Sequence, residues 1–114
     1  MGGIRTILIG MSPMFGDIIK KSVAEHIALD IVGESQTHEA LGDQLQSVSP
    51  ELILVELHGG EPDAIGFALL ALVPGTKVIA FSSDKHHAYV YERRACRTML
   101  ADVSPEALIK EISR

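Results

Sequence analysis

Short apolar runs alternate with amphipathic stretches along the whole chain. The runs at residues 5–9, 52–55 and 77–81 are dominated by aliphatic side chains, which is typical of strands that helices cover on both faces of a parallel sheet. Shorter runs at residues 29–32 and 98–100 predict two further strands. The pattern therefore predicts strands that alternate regularly with helices.

Capping residues and prolines mark where helices begin. Ser12 with Pro13, and Ser104 with Pro105, have the residue types that favour a helix N-terminus. Apolar residues recur every three or four positions after these starts, so one stripe of each helix faces the sheet. Helices are predicted at residues 13–27, 37–48, 62–73, 85–95 and 104–112, the fourth being weakly amphipathic. Because crossovers between parallel strands are almost always right-handed, this order predicts a three-layer α/β fold with a doubly wound (βα)5 parallel sheet.

Composition limits the classes of function. We expect residues 1–114 to form a single domain, since this length suits one compact core. Ten basic and fifteen acidic residues give a formal net charge of −5, which argues against direct binding of a nucleic acid, because that binding depends on neutralising phosphates. The lone Cys96 excludes an internal disulfide, and no signal-peptide pattern or membrane-length apolar run is evident. We expect a cytoplasmic protein with no membrane partner.

An acidic residue closes the third apolar run. Glu56 follows four consecutive aliphatic residues and is therefore expected at the carboxyl end of a buried strand. Open α/β sheets place their working sites outside the carboxyl ends of the strands. The sequence thus identifies Glu56 as the first candidate for a functional side chain.

Three strings resemble the receiver domain of two-component response regulators. IGMSPMF at residues 9–15 is similar to the family's first loop, in which two acids precede a His-Pro-aliphatic-Phe string. SPELILVEL at residues 49–57 resembles the Pro-Asp-aliphatic run that ends in the phosphoacceptor aspartate. ACRTMLADVSPEAL at residues 95–108 resembles the end of receivers attached to helix-turn-helix outputs. Their order and spacing extend the resemblance over essentially the whole chain and imply the flavodoxin-like receiver fold.

The resemblance places most of the family's functional positions on residues of another type. The acid pair that holds Mg²⁺ falls on Gly10 and Met11, which offer no carboxylate, and the phosphoacceptor falls on Glu56. The small hydroxyl residue, the lysine and the switch aromatic fall on Ser82, Ala101 and Thr98. Because phosphoryl transfer depends on positioning and on cations, the resemblance implies a pseudo-receiver. We expect no enzymatic activity, no metal and no cofactor.

Two interpretations of Glu56 remain open at this stage. In one, its carboxylate reaches Ser82 and mimics the charge of a phosphoaspartate. In the other, it is a solvated acid at the end of a strand. If the Glu56 carboxylate is buried, its ionised form is disfavoured, because Ala101 stands where the family has a lysine to balance the charge.

The resemblance also implies a surface for a protein partner or for a homodimer. Receivers commonly transmit through the face of the fourth helix, fifth strand and fifth helix. Basic and tyrosine residues gather there in an acidic chain that has few aromatic residues: Lys85, Tyr89, Tyr91, Arg93, Arg94 and Arg97. Tyrosine beside arginine is a composition favoured at interface centres, although a solvated face has the same charges. A fused output domain would lie outside this chain.

Two alternatives belong to other classes. The chain could be an active receiver that is phosphorylated on Glu56 or on another acid. It could also be a flavodoxin-like domain that binds a small ligand in a crevice formed by residues 10–12, 56–60 and 82–84. The adjacent His86 and His87 do not predict a metal site, since neighbouring side chains on a helix diverge.

Overall fold

The computed structural model describes residues 3–36, 49–58, 62–72, 75–82, 87–92, 96–100 and 103–113. The strands in these ranges are β1 (Ile4–Ile9), β2 (Leu29–Ser35), β3 (Leu52–Glu56), β4 (Lys77–Phe81), β5 (Ala88–Glu92) and β6 (Cys96–Leu100). The helices are α1 (Pro13–Ile18), α2 (Ala24–His26), α3 (Pro62–Leu72) and α4 (Pro105–Ser113), with a π-helical segment (Ile19–Val23) joining α1 to α2. None of the helices in this described part of the chain combines the length and apolar composition needed to cross a membrane.

The strands form one sheet in the order β2-β1-β3-β4-β5-β6. β1 pairs in parallel with β2 and with β3, and β3 pairs in parallel with β4. The chain therefore winds outward in both directions from β1, as predicted. The connections after β1 and β3 leave on opposite faces of the sheet, which creates a switch point between these two strands. The fold is α/β with a mostly parallel sheet.

Side chains from alternate positions of the strands form a core on each face of the sheet. One core combines Ile7, Ile53 and Val78 with Leu69 of α3. The other packs Phe15, Ile19 and Val23 with Leu108 and Ile112 against the opposite face. All five residues of β3 are buried, as the continuous aliphatic run at residues 52–55 predicts. The three-layer arrangement is confirmed for the described residues.

The prediction of a fourth helix over residues 85–95 is wrong, and so is the fully parallel (βα)5 sheet. Ala88–Glu92 form a strand that pairs antiparallel with β4, and β6 pairs antiparallel with it. Tyr89 and Tyr91 contact one core, whereas Ala88 and Val90 contact the other, which is the two-residue period of a strand. A short run with tyrosine and valine favours a strand when both of its faces can be covered.

The predicted helix starts are confirmed at both ends of the chain. The hydroxyl of Ser12 accepts a hydrogen bond from the Phe15 N–H at 3.4 Å, with Pro13 in the first helical position. The hydroxyl of Ser104 accepts one from the Ala107 N–H at 3.2 Å. Met14, in the first turn of α1, is 66% exposed. The predicted second helix at residues 37–48 lies outside the described residues.

Candidate functional site

Glu56 is buried at the carboxyl end of β3. Its residue surface is only 3% exposed, so the interpretation as a solvated acid is wrong. Its Oε1 accepts a hydrogen bond from the backbone N–H of Ser12 at 2.8 Å. This N–H belongs to the N-cap residue of α1, and a carboxylate near a helix N-terminus is electrostatically favourable. The carboxylate therefore holds the loop between β1 and α1.

Ser82 follows the last residue of β4, so it lies at the carboxyl ends of the strands, as Glu56 does. Its hydroxyl accepts the N–H of His87 at 3.1 Å, and its own N–H donates to the His87 carbonyl at 2.9 Å. These bonds close the connection between β4 and β5. The contact between Glu56 and Ser82 that a phosphoaspartate mimic would use stays a prediction.

Gly10, which the resemblance aligns with the first acid of the receiver pair, has a backbone that favours glycine. Its φ is +67°, in the left-handed region, and a Cβ on this residue would lie 3.0 Å from the Glu56 carbonyl oxygen. The Gly10 N–H donates to the Ser35 carbonyl at 2.7 Å. Its carbonyl lies 2.6 Å from Nε2 of His58, and that nitrogen must donate because a carbonyl only accepts. Met11, at the second acid-pair position, is half-buried.

The loop after β1 is thus tied to both neighbouring strands. Gly10 is bonded to Ser35 at the end of β2 and to His58 just after β3, and Ser12 is bonded to Glu56. Two of these three bonds use backbone groups of a glycine, and the third uses the side chain of Glu56. These contacts, all inside the domain, anchor the loop to β2 and to the end of β3.

A cleft of about 320 Å³ lies beside this loop, between α1 and the end of β2. Its wall on the α1 side carries Asp17 and Lys20, and its wall on the β2 side carries Glu34 and Gln36. Lys20 Nζ and Glu34 Oε2 are 2.8 Å apart. Gly10 and His58 also line the cleft. Of the crevice predicted at residues 10–12, 56–60 and 82–84, residues 10–12 and His58 line this cleft.

Sequence reasoning missed the charged residues of this cleft. The second strand was predicted to end at residue 32, but β2 continues to Ser35. The rule that identified Glu56 as an acid at the carboxyl end of a strand identifies Glu34 too, once the strand is extended. Lys20 and Asp17 carried no signal beyond the polar face of a helix.

The predicted interface residues are only partly described. Lys85, Arg93 and Arg94 lie outside the described residues, as does the side chain of Arg97 in β6. Ala101, predicted at the lysine position, and the side chain of Thr98, predicted at the switch position, also lie outside them. Tyr91 is fully buried in the core, so its prediction as an interface residue is wrong. Tyr89 is half-buried and packs against the same core cluster.

Within the described ranges, no group of three or more His, Cys, Asp or Glu residues is placed to hold a metal ion. In comparisons with known proteins, no family model, no curated protein and no solved structure matched this chain.

Proposed function

We propose that this chain is a receiver-like signalling domain that acts through protein contacts and not through phosphorylation. The observation that carries the proposal is the hydrogen bond between the Glu56 carboxylate and the Ser12 N–H. The acid at the phosphoacceptor position is buried and engaged with the first loop. Such a contact would hold the domain in a single state without a phosphoryl group. We expect it to work in the cytoplasm.

The geometry around Gly10 also argues against phosphoryl transfer. Mg²⁺ needs oxygen ligands, and the two positions that would supply carboxylates carry Gly10 and Met11. The left-handed backbone of Gly10 and its short approach to Glu56 leave little room for an aspartate. Without a metal, the charge that develops during transfer has no counterion at this loop.

We place the proposed protein-binding surface on β5 and β6. Tyr89 and Met99 are direct partners across the two strands, so their side chains lie on the same face. Tyr89 is half-buried, and Met99 is 53% exposed. An exposed methionine beside a tyrosine is an apolar pair of a kind enriched in interface centres. We propose that a protein partner, or a second copy of the chain, covers this pair.

A phosphodonor experiment tests the proposal against an active receiver. The full chain is incubated with acetyl phosphate and Mg²⁺, and its intact mass and melting temperature are measured. We expect no gain of a phosphoryl mass, either for the natural chain or for Glu56→Asp. A phosphoryl adduct mapped to Glu56 would overturn the proposal in favour of the active receiver.

A further inference from the structure

The two outer strands of the sheet differ in how their edges are protected, and β2 carries two protections. Its register with β1 shifts between Thr6 and Ile7, which leaves Val32 as an extra residue of β2. Asp30 and Glu34 are exposed on either side of Val32. Bulges and charged side chains on an outer strand hinder its pairing with another chain. A two-fold pairing of β2 about Val32 would also set Asp30 of one copy against Glu34 of the other.

β6, at the opposite edge of the sheet, has neither protection. All five of its residues pair with β5 in an uninterrupted register, and Arg97 is the one charged residue among them. Met99 is 53% exposed and lies opposite the half-buried Tyr89. In the part of the chain that the structure describes, β5 is the one strand that pairs with β6. An outer strand of this kind is a template for pairing with another strand.

We propose that β6 pairs antiparallel with β6 of a second copy of this chain, around a two-fold axis at Met99. The axis is perpendicular to the sheet, so corresponding faces of the two copies stay on the same side. Two six-stranded sheets are thereby joined into one, and Thr98 of each copy lies opposite Leu100 of the other. The second copy is then the partner that covers Tyr89 and Met99, so the inference rests on the protein contact proposed above.

Charge and apolar contact decide where the axis lies. An axis at Arg97 would set the arginines of the two copies opposite each other, and like charges at such positions are destabilising. An axis at Thr98 would set Arg97 opposite Met99. An axis at Met99 sets the two methionines opposite each other, with Cβ atoms about 4.5–5.5 Å apart, and each also lies opposite Tyr89 of its own chain. An apolar row then crosses the junction, so the strand complements itself.

A charge exchange at Met99 tests the axis, with sedimentation velocity over a concentration series at constant ionic strength. We expect the natural chain to form a dimer. Met99→Lys and Met99→Glu should each weaken that dimer at least about tenfold, because like charges would face each other across the axis. An equimolar mixture of the two variants should dimerise again, since a lysine then faces a glutamate.

Val32 provides the matched control, because it is an exposed apolar residue on the other outer strand. Val32→Lys and Val32→Glu should dimerise like the natural chain, whether alone or mixed. Disulfide trapping gives a second measurement that introduces no charge. Met99→Cys combined with Cys96→Ser should form a linked dimer with oxidised glutathione on non-reducing electrophoresis, whereas Val32→Cys combined with Cys96→Ser should not.

Several results would overturn the pairing of β6 with itself. These are a natural chain that stays monomeric, two charge variants that both keep the dimer, and folded charge variants whose mixture stays monomeric. Assemblies that grow beyond a dimer would instead indicate head-to-tail pairing of β6 with β2. If a charge variant fails to fold, absence of the linked dimer of Met99→Cys overturns the pairing by itself. The phosphodonor experiment measures mass and not association, so failure of the proposed signalling function is recognised separately.

Discussion

The ring of Tyr91 packs on the backbone of Gly66, so closely that a Cβ on residue 66 would lie within 3.0 Å of three ring atoms. Tyr91 also meets the ring of Phe67 edge-on, with centroids 5.0 Å apart. These contacts join the β5–β6 hairpin to α3. We expect Gly66→Ala to lower the free energy of unfolding by about 1–3 kcal/mol, because the core must shift to admit a methyl group. Urea denaturation measures the change.

Gly16 provides the matched control for that substitution. It is also a helical glycine, but a Cβ there would lie 3.7 Å from its nearest neighbour, Met11, which is ordinary contact. We expect Gly16→Ala to be neutral or to stabilise the domain by up to about 1 kcal/mol, as helix propensity favours alanine. Equal losses at Gly16 and Gly66 would contradict the close packing of Tyr91 on α3.

The hydrogen bond of Glu56 predicts that Glu56→Asp is less stable than Glu56→Gln. A glutamine at this position keeps an oxygen within reach of the Ser12 N–H. An aspartate is one methylene shorter, so its oxygens no longer reach that N–H. We expect Glu56→Asp to lower the free energy of unfolding by about 1–3 kcal/mol, since a partly buried N–H loses its acceptor. Glu56→Gln should cost less. Denaturant titration compares them, with Glu51→Gln as a control, because Glu51 is half-exposed and 3.6 Å from Arg5. A more stable Glu56→Asp variant would contradict this role of the carboxylate.

The backbone of Gly10 predicts that introducing the acidic and basic residues of a receiver site would lower the stability of the domain. Rebuilding the metal, acceptor and cation positions requires Gly10→Asp, Met11→Asp, Glu56→Asp and Ala101→Lys together. Gly10→Asp alone should lower the free energy of unfolding by about 1–3 kcal/mol, because an L-residue is strained at this positive φ. Thermal unfolding tests this, with Gly33→Ala as the control, since a Cβ at Gly33 meets Ile7 at an ordinary 3.7 Å.

A second buried acid, Glu111 of α4, lies near the amino end of β4, away from the strand end that carries Glu56. Lys77 Nζ donates to the Glu111 carbonyl at 2.8 Å and lies 3.4 Å from its Oε2. The two side chains are 18% and 5% exposed, so the pair is poorly solvated. We expect Lys77→Met to lower the free energy of unfolding by about 1–3 kcal/mol, because a buried carboxylate loses a cation.

The double variant Lys77→Met with Glu111→Gln should recover part of that loss in the same denaturation experiment, since no unpaired charge is then buried. Lys21→Met is the control for removing a lysine, because its pair with Asp17 is 4.0 Å long and exposed. That change should stay within about 0.5 kcal/mol. A double variant less stable than Lys77→Met would exclude burial of the unpaired acid as the cause.

The exposed Met99 predicts the effect of a charge on the proposed protein-binding surface. We expect Met99→Glu to weaken self-association of the chain by about 1–3 kcal/mol, because apolar contact area carries binding energy. Sedimentation velocity over a range of concentrations measures it. Val32→Glu is the control, since Val32 is an exposed apolar residue on the strand at the other edge of the sheet. A chain that stays monomeric at all concentrations would contradict self-association through Met99.

Local sequence determined the strands and helix starts whose signals can be recognised from residues close along the chain. The aliphatic run of β3 has no polar position, so it forms a strand only where both faces are covered. Ser12 and Ser104 cap helices because a hydroxyl can accept an otherwise unpaired N–H within the next turn. β4 was predicted at its observed bounds, Lys77–Phe81. In each case the sequence signal lies within a few residues along the chain.

The tertiary structure decided what depended on partners distant in sequence. Residues 85–95 read as a weak helix because their periodicity is ambiguous, and only pairing with β4 on one side and β6 on the other makes Ala88–Glu92 a strand. Glu56 was identified at a strand end, but its hydrogen-bond partner Ser12 is 44 positions away. The cleft brings α1, β2 and the residue after β3 together only through the parallel order of the sheet, and no local pattern encodes that proximity.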